Sequence, residues 1–216
     1  MEQDESDKAD KRAFSERTNR WKTYIEICDL GAICRRYFVM NAFDGALTML
    51  GVVIGATLAN IQDPFIVISA GIAGSFAMGI SGFSGAYMAE SAERTKELKI
   101  LEKAMLTRME DESLHKEAAR FATRVTALVD AASPAIAAII VISPFFLVTM
   151  GSIDMSAAFV GSLILTLVIL ISLGVYLARI TEESMLRHGL KMLIVGLITA
   201  LLCSLIAIGL GGEVVV

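Results

Sequence analysis

The stretch Phe38-Val39-Met40-Asn41-Ala42-Phe43-Asp44-Gly45-Ala46-Leu47-Thr48-Met49-Leu50-Gly51 decides how this chain is read. From Tyr37 to Ala59 the residues have the character of a membrane-spanning helix, yet one of them is a carboxylate. An Asp near the centre of a span costs about 2.5–3.5 kcal/mol on insertion scales, so such a residue has a partner or a task. Arg36 marks the membrane surface. At a rise of about 1.5 Å per residue, Asp44 lies roughly 12 Å below it, inside a hydrocarbon core about 30 Å thick.

The rest of the chain has the same character. Of its 216 residues 55% are hydrophobic, and the mean hydropathy is +0.65. That is too apolar for a soluble domain of this length, and the apolar residues are clustered. Runs nearly free of charge occur at 37–59, 64–89, 125–149, 156–178 and 190–211, each long enough to cross a bilayer as a helix. The expected fold class is all-α: a polytopic membrane protein of five transmembrane helices, with a short cytoplasmic helical hairpin between spans two and three.

The basic residues orient it. The 19 Lys and Arg fall before the first span (Lys8 to Arg36), between spans two and three (Arg94 to Arg124), and around the connection of spans four and five (Arg179, Arg187, Lys191). All are on one side; the loops 60–63 and 150–155 have none. The positive-inside rule then places the N-terminus in the cytoplasm and the C-terminus outside. Acids crowd the same segments, so the basic residues are explained by topology and no nucleic-acid partner is expected. Cys28, Cys34 and Cys203 fall in the cytoplasm or the membrane, where no disulfide is expected. The first 20 residues are charged and lack an apolar core, so no cleavable signal peptide is expected. Together with the short insertion, this favours a prokaryotic plasma membrane.

Residues 1–16 read as a disordered tail. Over 17–36, Trp21, Tyr24, Ile25 and Cys28 recur at helical spacing. This fits an amphipathic helix along the interface or one packed on the cytoplasmic domain. Residues 37–89 form spans one and two, 90–124 the hairpin, and 125–211 spans three to five. Gly45, Gly51 and Gly55 on span one, and Gly71, Gly74, Gly79, Gly82 and Gly85 on span two, predict tight packing of these two helices. Gly45 would also leave room for an ion or water beside Asp44. Pro134 and Pro144 are expected to bend or break span three. Spans four and five read as scaffold.

Two groups of residues can carry chemistry. On span one, Met40 and Thr48 lie one turn to either side of Asp44, with Asn41 and Gly51 close to the same stripe. A carboxylate, an amide, a hydroxyl and a thioether suit Fe²⁺ or Mn²⁺ better than a closed zinc site. The alternative is an Asp paired with a neighbouring helix, or with Arg35 or Arg36. On span two, Met78 and Ser81 share a stripe with Gly82, and Glu90, Glu93 and Glu97 form an adjacent one. Three carboxylates on one helical face can converge on a metal if a second helix adds ligands, and Glu112-x-x-His115 lies on the next helical piece. Lys96, Lys99, Lys103 and Lys116 allow the plainer reading of a salt-bridged, solvated hairpin. Neither His lies at membrane depth, and no Ser/His or paired-Asp constellation is visible, so no enzyme is expected.

The pattern Asp44-Gly45-Ala46-Leu47-Thr48, followed by Gly71-Ile72-Ala73-Gly74, Gly79-Ile80-Ser81 and Gly85-Ala86-Tyr87 before a charged helix, resembles the vacuolar iron transporter family. The resemblance extends over about residues 33–212. It implies export of cytoplasmic Fe²⁺ or Mn²⁺ in exchange for protons, by a homodimer whose ion path lies near the two-fold axis. Asp44 corresponds to the family's intramembrane carboxylate. The family commonly has Met directly after the serine of the second-span motif. Here that position is Gly82, and Met78, one turn earlier, is the substitute expected.

Desolvation favours a neutral acid over a carboxylate, so Asp44 is expected to hold a proton when no metal is bound. A cation gathered by Glu90, Glu93 and Glu97, with Glu112 and His115 nearby, would displace it. The metal is cargo; no tightly bound cofactor is expected. The other reading is a non-transporting homologue that senses metal or acts as a scaffold.

Overall fold

A computed structural model describes residues 20–109 and 113–211. The expected tail at 1–16 and Glu112 lie outside these residues. Within them the chain is helical: α1 (residues 20–27), α2 (Leu30–Leu58), α3 (Pro64–Met105), α4 (Leu114–Thr149), α5 (Met155–Ile180) and α6 (Met185–Gly209). The last five are each long and apolar enough to cross a membrane. The protein is a polytopic all-α membrane protein.

Local chemistry sets the helix ends. Pro64 sits at the first position of α3, where a missing N–H costs nothing, and Asp63 Oδ1 accepts from Phe65 N at 2.9 Å. α2 closes through a left-handed residue, Asn60 (φ 53°), with Ile61 N bonded to Ala56 O at 3.0 Å. The same closure ends α3 at Leu106 (φ 54°), α4 at Gly151 (φ 72°) and α5 at Glu182 (φ 54°). Asp29 (φ 44°) separates α1 from α2. α2 therefore begins at Leu30, ahead of the apolar run at 37 that marked it in the sequence.

The chain divides into two compact units, Met1–Arg36 with Phe83–Val129, and Tyr37–Gly82 with Asp130–Val216. In the second, Met49 and Val53 of α2, Val67 and Ile68 of α3, Val141, Ile142 and Phe145 of α4, and Met155 and Ala158 of α5 form one buried cluster. Ala42, Ala46, Ala137, Leu170 and Leu173 form another.

Of the glycines expected to join α2 to α3, Gly71 and Gly74 of α3 lie against Met49 of α2, while Gly45, Gly79 and Gly82 pack on α4. A Cβ on Gly45 would collide with the backbone of Pro134, and one on Gly71 would lie 2.8 Å from Ile142 Cγ2. Gly45 thus brings two backbones together instead of leaving space beside Asp44. Neither Pro134 nor Pro144 breaks α4, which runs unbroken through both. Neighbouring helices pack closely around both: Gly45 meets Pro134, and Gly161 lies by Pro144. In membranes such packing supports helices that contain proline. α6 approaches α5 where Gly174 meets Gly189, and turns Leu197, Leu201 and Leu205 outward. Those exposed side chains suit lipid.

In the first unit, Tyr24, Cys28 and Leu30 are buried with Ala118 and Ala122 of α4. The Tyr24 ring lies 5.6 Å from that of Phe121, and Trp21 stacks on Phe121 at 6.3 Å. α1 is packed on the charged part of α4.

Candidate functional site

Asp44 lies in the middle of α2 and is exposed, as are Met40 and Thr48, one turn before and after it. The neighbours that turn inward on this helix are apolar: Ala42, Ala46, Met49 and Leu50 are buried. The polar stripe thus lies on the outside of the chain. Among the described residues Asp44 forms no salt bridge, so neither Arg35 nor Arg36 neutralises it.

Asn41 does not belong to that outer stripe. Its amide donates to Tyr37 O at 2.9 Å and to Asp130 Oδ1. Asp130 is buried, only 6% exposed. Its other oxygen fills the place beside Gly82: a Cβ there would lie 2.7 Å from Asp130 Oδ2. A side chain at position 82 and the carboxylate at 130 compete for one volume, and here the carboxylate has it. Sequence reading noted Asp130 only as the start of span three. The signal available was an Asp within the apolar run 125–149.

The remaining predicted ligands are dispersed. Met78 packs against the cluster around Met49, and Ser81 is exposed. Glu90 is buried, with Arg94 Nε 3.6 Å from its Oε2. Glu97 accepts from Arg94 Nη1 at 2.9 Å, and Glu93 lies 3.5 Å from Lys96 Nζ. His115 is exposed. Among the described residues no three His, Cys, Asp or Glu side chains converge as a metal-binding group. The carboxylates of α3 have cations as partners, and those pairs are what a metal would have to displace.

Two further groups have shifted acidities. The hydrogen bond from Tyr24 Oη to Glu117 Oε2, 2.6 Å, holds the phenol above its usual range, and burial adds to this. Burial likewise pushes the Cys28 thiol up.

A family model described as the VIT family matches residues 35–124 and 94–208, and so takes in all five long helices. The chain belongs to the VIT family. An uncharacterized protein of Methanocaldococcus jannaschii is 34% identical over 174 residues, which is 79% of this chain and 87% of the relative. As a VIT family member with five candidate spans, the protein is an integral, multi-pass membrane protein of a metal-ion transporter family. The outward stripe of Met40, Asp44 and Thr48 and the inward pair of Asn41 and Asp130 both lie within the matched region.

Proposed function

We propose that this protein exports Fe²⁺ or Mn²⁺ from the cytoplasm in exchange for protons, acting as a homodimer in which Asp44 of each copy faces the ion path. The observation that carries this reading is Asp44 itself, exposed on the outside of a membrane helix and without a salt bridge among the described residues. Facing lipid, such a carboxylate is costly. Facing its counterpart in a second copy, it becomes half of a site with two negative charges, which matches a divalent ion. Met40 and Thr48 would add a thioether and a hydroxyl, donors that suit Fe²⁺ or Mn²⁺.

Exchange for protons is part of the same proposal: the divalent ion and protons compete for the two facing carboxylates. Met78 and Ser81 remain candidate ligands along the path. On the approach, the Glu93–Lys96 and Glu97–Arg94 pairs have exposed carboxylates. Both members of the Glu93–Lys96 pair are exposed, and such a pair is worth about 0–1 kcal/mol, so an arriving divalent ion can displace Lys96. Glu90, Glu112 and His115 complete the proposed approach, and the N-terminus is cytoplasmic in this reading.

The test is uptake of Fe²⁺ and Mn²⁺ into proteoliposomes with and without an imposed pH gradient. Flux driven by the gradient, with counterflow of protons, is the expected result. Metal binding without flux would instead identify a sensor or scaffold.

A further inference from the structure

The charged parts of α3 and α4 line an open cavity of about 220 Å³. Four cations line it: Arg94 from α3, and Lys116, Arg120 and Arg124 from α4. The hydroxyl-bearing residues Tyr87 and Ser91 line it too, and among the described residues no acidic side chain does. Helical spacing produces this. Positions 87, 91 and 94 share one face of α3, and 116, 120 and 124 share one face of α4.

Two of the cations are held in place. Arg94 donates to Glu97 Oε2 at 2.9 Å and to Cys28 O at 3.3 Å, and its buried Nε has no hydrogen bond of its own. Lys116 donates to Met109 O at 2.8 Å and lies 3.5 Å from Glu102 Oε1. Glu90, Glu97 and Glu102, which balance these two, are not among the cavity walls. Arg124 is exposed and has no ion pair or hydrogen bond among the described residues, and the same holds for the hydrogen-bonding capacity of the Tyr87 and Ser91 hydroxyls.

The positive-inside rule explains which side these residues occupy. It does not explain why Arg124, which has no ion pair among the described residues, shares one concave surface with three other cations. A metal ion is repelled from such a place. Arg side chains are suited to phosphate, which they grip through paired N–H donors. The volume is below the roughly 300 Å³ at which pockets for whole small molecules begin, and so suits a phosphate group better than an entire nucleotide. Depth points the same way. Arg124 immediately precedes the apolar run of span three, and Tyr87 stands near the end of that of span two. Basic pockets between membrane helices at this level accommodate anionic headgroups.

We propose that this cavity binds a phosphate group, carried by an anionic membrane lipid or free in solution, through Arg94 and Arg124 and the hydroxyls of Tyr87 and Ser91. A phosphate bonded to both helices clamps the charged arms of α3 and α4 together. The site contains none of the residues assigned to metal, although Arg94 is paired with Glu90 and Glu97, which are.

The test uses the full-length protein in phosphatidylcholine nanodiscs, followed by thermal melting and native mass spectrometry. One arm adds phosphatidic acid to the discs; the other titrates inorganic phosphate into discs of neutral lipid alone. A raised melting temperature and one retained phosphate group per chain are expected in at least one arm, and the responding arm identifies the source. Arg124→Gln should weaken that binding by about tenfold or more, as expected for loss of a charged hydrogen-bonding partner, while melting like the wild type without phosphate. The double variant Ser91→Ala with Tyr87→Phe gives a second reading that leaves every charge in place, with weaker binding expected. No binding in either arm, or wild-type binding by both variants, overturns the proposal.

Discussion

Gly82 has a physical explanation in Asp130. The carboxylate occupies the space that a side chain at 82 would need, 2.7 Å from where its Cβ would stand. Gly82→Met should therefore destabilise the protein by about 1–3 kcal/mol, the usual cost of overpacking, read as a lower melting temperature in detergent. Gly82→Met combined with Asp130→Ala should recover part of that loss, because the second change frees the contested volume. Asn41 is the donor to Asp130 inside the membrane. Asn41→Leu leaves a buried carboxylate without it, and about 1–3 kcal/mol of stability should be lost. The sequence showed Asn41, Gly82 and Asp130 as separate residues, 89 apart in the case of Asn41 and Asp130. Their meeting depends on how α2, α3 and α4 pack, which no local pattern encodes. Asp44 was legible because its anomaly is local: one charge in an apolar run.

At the scale of elements, the helix ends and the packing of α1 can be tested. Leu106 ends α3 in the left-handed region and is 93% exposed, so its side chain contributes little packing. Relief of left-handed strain, set against the greater freedom of glycine in the unfolded chain, should make Leu106→Gly more stable by about 0.5–1 kcal/mol. The Tyr24–Glu117 hydrogen bond ties α1 to α4. Tyr24→Phe should cost about 1 kcal/mol. The Tyr24 pKa is raised in the folded protein, so its contribution is complete below the ordinary Tyr range near about pH 10. It disappears as pH rises through the raised value. The stability difference between wild type and Tyr24→Phe should hold steady through neutral pH and shrink only in strong alkali, as measured by melting across a pH series. Buried Cys28, its thiol pushed up by burial, should resist maleimide in the folded protein and react once it is unfolded. Hydropathy located the long helices well, because length and apolarity alone define a span. The charged turns before 37 continue α2 back to Leu30. Hydropathy could not show that α4 runs unbroken through Pro134, because the neighbour packed there, Gly45, lies far off in the chain.

For the whole molecule, the outward stripe on α2 is the place at which the proposed second copy can be tested. Met40, Asp44 and Thr48 are exposed on a membrane helix, and the proposed second copy would cover them. Cysteines introduced at Met40 or Thr48, in a background lacking the native cysteines, should cross-link between copies in membranes, giving a dimer on non-reducing gels. A cysteine at Leu201 of α6, exposed among other leucines on the same helix, should not. The most direct measurement is Mn²⁺ uptake into proteoliposomes under an imposed pH gradient, comparing wild type with Asp44→Asn at equal protein incorporation. The account predicts gradient-driven uptake by the wild type and background uptake by Asp44→Asn; undiminished uptake by the variant would contradict it.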